Sequence, residues 1–265
     1  MNARSSPALP ETWESIPAAF RTPDGHLPAP WDALFGPLRA GRVDELVVVG
    51  QLGQSLDGRI ATNSGHSHYI NGPAGLDHLH RLRALVDAVV IGVGTALADD
   101  PLLTVRRVAG PNPARVILDP RGRLPAGARV LAADGTRRLV VTGPMTCNAL
   151  PDGVEVVALP ADDGHIAPAV VLAALAARGL RRVLVEGGAR TVSGFLSAGC
   201  LDRLHVLVAP MILGTGRAGL ELAPIDRVDH ALRPPIRTYP LGEDLLFDCD
   251  LSAARVPIGR AKRST

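Results

Sequence analysis

Five short apolar runs constrain this chain more than any other feature: Leu46-Val47-Val48-Val49, Ala88-Val89-Val90-Ile91, Val116-Ile117-Leu118, Leu139-Val140-Val141 and Val183-Leu184-Val185. None alternates apolar with polar residues, so each reads as a strand covered on both faces. Helical patterns stand between them. Gly72-Pro73 opens a helix whose Leu76, Leu79, Leu82 and Leu85 form one stripe; 169–177 is an Ala-rich helix stopping at Gly179, and 189–198 is another ending at Gly199. Strands at 154–157 and 204–208 continue the pattern. Strands alternating with helices imply a three-layer α/β/α architecture around a mostly parallel central sheet. The segments 236–241 and 244–250 have no helix between them and imply an antiparallel C-terminal strand pair.

The flanks differ. Residues 1–44 carry Pro7, Pro10, Pro17, Pro23, Pro28, Pro30 and Pro37 without a sustained apolar period, and read as an irregular arm draped over the main domain through Trp13, Phe20, Trp31 and Phe35. Residues 45–255 form the main domain and 256–265 a basic tail.

Charge excludes several kinds of chemistry. Lys262 is the single lysine, so neither a P-loop nor a Schiff-base lysine is available within the domain, and anions must be met by Arg, hydroxyls or backbone N–H groups. The net charge is +2, the basic residues are scattered and aromatics are only 3% of the chain, which argues against a nucleic-acid or membrane surface. Cys147, Cys200 and Cys249 are widely spaced, form no CxxC pair and read as buried structural residues; no metal site is expected. With no basic-then-apolar leader and no membrane-length apolar run, the expected location is the cytoplasm.

Three segments carry chemistry. In Val183-Leu184-Val185-Glu186-Gly187-Gly188-Ala189, a strand ends in two glycines and a helix begins at once. That leaves unpaired N–H groups at a helix N-terminus, suited to a phosphate or pyrophosphate, with the Glu186 carboxylate at the strand's C-terminal end. Ile91-Gly92-Val93-Gly94-Thr95 also runs from strand into glycines but lacks the third Gly of a dinucleotide fingerprint. Two carboxylates, Asp99 and Asp100, then precede Pro101 and the run to Arg106. Gly53-Gln54-Ser55-Leu56-Asp57-Gly58-Arg59 contains a turn signal at Asp57-Gly58, and Ser67 and Tyr69 lie on the loop before the helix bearing Arg83. A hydroxyl with Arg83 and Arg106 suits a phosphate ester, although each Arg also fits a surface ion pair. Arg121 has two readings, a contact for a ribose 2′-phosphate or a turn residue between Pro120 and Gly122.

The ordered set Ser55-Leu56-Asp57-Gly58-Arg59, Leu97-Ala98-Asp99-Asp100-Pro101 with Leu103-Thr104-Val105-Arg106, and Val185-Glu186-Gly187-Gly188 resembles the reductase domain of the bacterial riboflavin-biosynthesis deaminase–reductase over about residues 46–247. The resemblance implies a dihydrofolate-reductase-like fold, a homodimer, and NADPH-dependent reduction of 5-amino-6-(5-phosphoribosylamino)uracil to its ribitylamino form. It places the cofactor against Gly53, Tyr69, Thr95, Asp99 and the stretch Gly188, Ala189, Arg190, Thr191, Val192, Ser193 and Gly194, with Gly187 at its head. It places the substrate against Gln51, Ser67, Arg83, Leu103 and Arg106, and Glu186 beside the reacting part as the catalytic group. The zinc-deaminase signature H-x-E followed by P-C-x-x-C does not occur. Gln51 stands where bacterial members usually carry Lys, and Tyr69 where many carry Trp. Gln51 keeps open a paralogous reductase of another pteridine-like or phosphoribosyl substrate, dihydrofolate included; a non-catalytic nucleotide-binding protein is the alternative from another class.

Overall fold

A computed structural model describes residues 13–41, 43–67, 70–146 and 149–258. Tyr69, Cys147 and most of the 256–265 tail lie outside the described residues. The elements in chain order are α1 (Ile16–Arg21), α2 (Ala29–Phe35), β1 (Val47–Ser55), β2 (Arg59–Thr62), α3 (Pro73–Leu85), β3 (Ala88–Gly92), α4 (Val93–Asp99), β4 (Ala114–Leu118), β5 (Arg138–Thr142), β6 (Val154–Ala158), α5 (Pro168–Ala176), β7 (Arg182–Glu186), α6 (Ala189–Ser197), β8 (Arg203–Ala209), β9 (Gly216–Ala218), β10 (Ile236–Leu241) and β11 (Asp244–Asp250).

The apolar runs become the middle of a nine-stranded sheet of order β10-β11-β8-β1-β7-β3-β4-β5-β6. From β8 to β6 every pairing is parallel, while β11 and β10 are added antiparallel at one edge. This is the mostly parallel sheet with an antiparallel C-terminal pair that the pattern of runs implies. Side chains alternate between faces. Val47, Val49, Val89, Ile91 and Leu184 meet α3 and the N-terminal segment on one face; Val48, Val90, Val183 and Val185 meet α5 and α6 on the other. The sheet is thus the middle of three layers.

The N-terminal segment is more regular than its prolines suggest. Pro17 and Pro30 fall in the first turns of α1 and α2, where a missing N–H costs nothing. Trp13, Phe20, Trp31 and Phe35 are buried, and Trp31 stacks on Phe35 with ring centroids 5.7 Å apart. The Trp13 indole donates to the Ala109 carbonyl at 2.6 Å. In α3, Leu82 and Leu85 are fully buried, but Leu76 is 43% exposed at the lip of the cavity described below. Cys200 and Cys249 are buried free thiols, each pushed up by burial.

A polar row crosses the α3 face of the sheet from the C-terminal end of β7. Glu186 on β7 is in register with Gln51 on β1, Gln51 with His205 on β8, and His205 with Asp248 on β11. The Asp248 carboxylate accepts both forks of Arg203, at 2.7 and 2.5 Å, and is held down to about 2: burial opposes this, but the bonds from His205 and Arg203 outweigh it. His205 meets His78 of α3 at 3.0 Å, and His78 stacks on Phe35.

Burial, with the neighbouring His205 and Arg81 charges, holds His78 well below its ordinary value of 6.5. Burial and Arg83, Arg106 and Arg107 bring His80 down to about 3. Both rings are neutral in the fold and free to take a proton once unfolded. Their contribution to stability is complete above pH 6.5 and is lost as pH falls from there toward the folded values. Well below 6.5 the slope approaches about 1.4 kcal/mol per pH unit for each ring. Urea midpoints measured from pH 7 to pH 4 should fall steadily, and His80→Gln should flatten the curve; a midpoint constant down to pH 4 would contradict the assignment.

Candidate functional site

The C-terminal ends of β1, β7, β3 and β4 open into one cavity of about 910 Å³. Two strand-to-helix turns form its floor. β7 ends at Glu186, passes through Gly187 at φ +125° and enters α6 with Gly188 as N-cap. The adjacent β3 ends at Gly92, the N-cap of α4. The Thr95 hydroxyl of α4 accepts the Gly188 N–H at 2.9 Å and locks the turns together. A Cβ on Gly92 would come within 2.5 Å of the Thr191 hydroxyl, whereas one on Gly94 would meet nothing within 4 Å. Bulk is therefore excluded where the turns touch and absent where the cavity opens. The N–H groups of Ala189 and Arg190, in the first turn of α6, have no partner within the helix by geometry. Such a cradle fits an anionic pyrophosphate.

At the head of the cradle is an ion pair. Arg83 of α3 donates from Nε and Nη2 to the two oxygens of Glu186, both at 2.7 Å, and from Nη1 to the Thr104 carbonyl at 3.1 Å. Both residues are buried yet line the cavity. Burial works against the Arg83 charge, but Glu186 more than offsets it and the guanidinium is pushed up from its ordinary value. The Thr104 carbonyl is aimed by a strained neighbour: Leu103 is buried at φ +54°, a conformation costing a leucine about 1–2 kcal/mol. Gln51, beside Glu186 in register, also faces the cavity.

The residues singled out by sequence divide clearly. Gln51, Gly53, Ser67, Arg83, Thr95, Asp99, Leu103, Glu186, Gly187, Gly188, Ala189, Arg190, Thr191 and Gly194 all line this cavity. Val192 does not; it is fully buried in the core beneath α6. Ser193 is buried, and its hydroxyl accepts the Glu221 N–H at 2.8 Å. Arg83 does not stand free as a phosphate grip, because its fork is committed to Glu186. Arg106 lies outside this cavity, in a recess shared with Trp13, Arg81 and Arg107. Its guanidinium is pushed down by desolvation and by the charges of Arg83, Arg129 and Arg107. Arg121 also misses the cavity: it sits in a turn closed by the Gly122 N–H to the Asp119 carbonyl and donates to the Asp163 carbonyl at 2.9 Å.

Other features have structural roles. Asp57 accepts the Ser55 hydroxyl and the N–H groups of Leu213 and Gly214, which hold it near 2 and pin the β1–β2 turn to the 211–214 loop. Asp100, left-handed at φ +38°, accepts the Arg129 N–H. Several cavity residues carried no sequence signal: Asn71, Arg123, His165, Arg217 and Glu221. Asn71 fills the space where a Cβ on Gly53 would stand, and the β2–β9 sheet brings in Arg217.

Residues 46–234 match the family described as the RibD C-terminal domain. A 2,5-diamino-6-ribosylamino-4(3H)-pyrimidinone 5′-phosphate reductase of Methanothermobacter thermautotrophicus is 36% identical over 211 residues, covering 76% of this chain and 96% of that protein. The riboflavin biosynthesis protein RibD of Aquifex aeolicus is 35% identical over 199 residues, covering 73% of this chain but 54% of its own length. The chain thus spans about half of RibD and nearly all of the archaeal reductase. Among solved structures, a Thermotoga maritima diaminohydroxyphosphoribosylaminopyrimidine deaminase/5-amino-6-(5-phosphoribosylamino)uracil reductase superposes with TM-score 0.68 at 28% identity, covering 77% of this chain and 56% of that one. The Saccharomyces riboflavin-biosynthesis reductase Rib7 shares the fold, with TM-score 0.66 at 19% identity, over 89% and 99% of the two chains. A parallel sheet with a glycine cradle, a buried carboxylate at its head and this sequence match lead to one conclusion: the chain belongs to the RibD C-terminal domain family of riboflavin-biosynthesis reductases and is an oxidoreductase.

Proposed function

We propose that this protein reduces 5-amino-6-(5-phosphoribosylamino)uracil to 5-amino-6-(5-phosphoribitylamino)uracil with NADPH. The observation that carries the reading is the position of Glu186, buried, held by Arg83 and set immediately before the Gly187-Gly188 cradle. The Gly187-Gly188 turn and the first N–H groups of α6 would hold the pyrophosphate of a dinucleotide. When bound, NADPH supplies a hydride to C1 of the ring-opened ribosyl imine; the electron pair of the C=N bond moves to nitrogen, which holds one proton, leaving a secondary amine. Glu186 faces the positive charge on that nitrogen before transfer and stabilises it. Arg83 fixes the rotamer of Glu186, and Gln51 borders the substrate side without adding a charge. Ser67 and Leu103 orient the ribosyl chain, while Thr95 and Asp99 border the cofactor.

Reduction of the undeaminated pyrimidine is a second reading, favoured by one observation: the archaeal protein named for that substrate matches over 96% of its length. The two pyrimidines share the phosphoribosylamino group and differ at C2 of the ring. NADPH oxidation followed with each decides between them. Higher kcat/KM with the uracil supports the first reading, higher kcat/KM with the diamino compound the second, and NADPH binding without oxidation of either, or of a wider panel of pteridines, leaves a nucleotide-binding protein.

The proposal includes a homodimer in the cytoplasm, where NADPH and phosphorylated pyrimidines are both confined. The outer edge of β10 has no strand partner among the described residues, and Ile236 at its start and Ile225, Val228 and Leu232 on the segment leading into it are exposed, as befits a surface that a second copy covers.

A further inference from the structure

The segment 100–113, between α4 and β4, has no helix or strand of its own. It nevertheless carries Leu103, which lines the cavity, and the Thr104 carbonyl that receives Arg83. A long irregular segment keeps one shape only where other parts of the chain hold it. Its two ends are fixed locally: the Asp100 carboxylate accepts the Arg129 N–H at 2.8 Å, and beyond 113 the chain enters β4. Its middle is held from two sides. From α3, His80 Nδ1 accepts the Arg106 N–H at 3.1 Å, and Asp77 pairs with Arg107 at 2.6 Å. From the N-terminal segment, the Trp13 indole donates to the Ala109 carbonyl at 2.6 Å. One residue on, a Cβ at Gly110 would come within 2.5 Å of the Ala84 Cβ and 3.6 Å of the Pro17 Cγ, so the three parts of the chain meet there in contact.

The N-terminal segment is itself fastened to α3. The Arg81 guanidinium lies over the rings of Trp13 and Trp31, 5.6 and 4.9 Å from their centroids. Arg21 donates at 2.8 Å to the Ala84 carbonyl in the last turn of α3. Trp13 is buried, so its indole is fixed in place before it bonds, whereas the Arg107–Asp77 pair is partly exposed, screened and worth little. Trp13 also lies outside residues 46–234, the part matched to the family. We propose that Trp13 is a positioning residue for the reduction: through the Ala109 carbonyl it holds 103–110 against α3, and so fixes Leu103 at the cavity wall and the Thr104 carbonyl that meets Arg83. The inference rests on the function proposed above. Without the tether, substrate must order this segment as it binds, and its apparent affinity falls by the fraction of molecules already in order.

Trp13→Phe removes the indole N–H and keeps a ring against Trp31 and Phe35. The full-length wild type and variant are compared by amide hydrogen exchange read by mass spectrometry, and by steady-state kinetics with NADPH and whichever pyrimidine the wild type reduces faster. Exchange at 103–110 should quicken while 186–194 keeps its wild-type rate. The KM for the pyrimidine should rise roughly 3- to 10-fold, the equivalent of one net hydrogen bond. The kcat and the KM for NADPH should stay within about twofold, because Arg83 keeps both bonds to Glu186 and the Gly188–Thr95 lock lies outside the tethered segment. Unchanged exchange at 103–110 overturns the proposal, as does quicker exchange there with no change in the KM for the pyrimidine. Faster exchange along the whole chain, with kcat and both KM values shifted together, makes Trp13 a structural residue only and overturns it as well. If the wild type reduces neither pyrimidine, the function proposed above falls by that result, and the positioning role falls with it even where exchange shows the tether to be real.

Discussion

Replacing Glu186 by Gln is expected to lower turnover roughly 100- to 1,000-fold, the range for losing one preorganised charged contact to a developing or vanishing charge. The same change also unpairs the buried Arg83, which keeps only the Thr104 carbonyl and one amide oxygen. Leaving one partner of a buried pair uncompensated costs about 3–5 kcal/mol. Turnover must therefore be expressed per folded molecule, with the KM for NADPH as a check that the cradle is intact. The double variant Arg83→Gln, Glu186→Gln separates the two effects. It replaces two charges by two amides of similar shape, so it should regain much of the stability while turnover stays low. Recovery of turnover in the double variant would show that the single change acted only through folding and that Glu186 has no part in the chemistry.

Asp248→Ala should produce the largest loss of stability of any single change in the polar row, about 3–5 kcal/mol. The carboxylate is fully buried, holds both forks of Arg203 and stands 3.2 Å from His205. Its removal leaves Arg203 with only Asp250, at 3.3 Å. At about 2–4 °C per kcal/mol for a chain of this size, the melting temperature should drop by roughly 6–20 °C. Arg227 and Asp229 offer a comparison: they are also paired, at 3.0 Å, but are exposed, and Asp229→Ala should cost less than about 1 kcal/mol. Similar losses in both variants would mean that burial does not set the worth of these pairs. Because β11 joins α3 and β1 through this row, Asp248→Ala should also loosen Gln51 and raise the KM for the pyrimidine.

The central sheet was legible because its strands are covered on both faces and so need unbroken apolar runs; the antiparallel pair at 236–241 and 244–250 was legible for its lack of an intervening helix. α1 and α2 were hidden by prolines that in fact start them. α4 is seven residues long with a glycine inside, and β2 and β9 have four and three residues, too few for any period to register. In the site, the cradle could be read because strand, glycines and helix are contiguous. The Arg83–Glu186 pair could not, since its partners are 103 positions apart and only packing of α3 on the sheet joins them. The contiguous stretch 188–194 was too generous, because a helix turns about 100° per residue and cannot present seven in a row to one cavity; Val192 and Ser193 are the ones turned away. Arg121 kept two readings in sequence, a 2′-phosphate contact and a turn residue, because the Asp163 carbonyl that occupies its guanidinium is 42 positions distant.

The most direct test of the account is the fate of the transferred hydrogen. NADPH carrying deuterium at the transferring position of its C4 should be incubated with the freshly deaminated phosphoribosyl pyrimidine, and the product examined by NMR. The account predicts one deuterium at C1 of the ribityl chain for each NADPH oxidised, with the rate of its incorporation falling in step with turnover in Glu186→Gln. Oxidation of NADPH with no deuterium at that carbon would contradict direct transfer across this cavity.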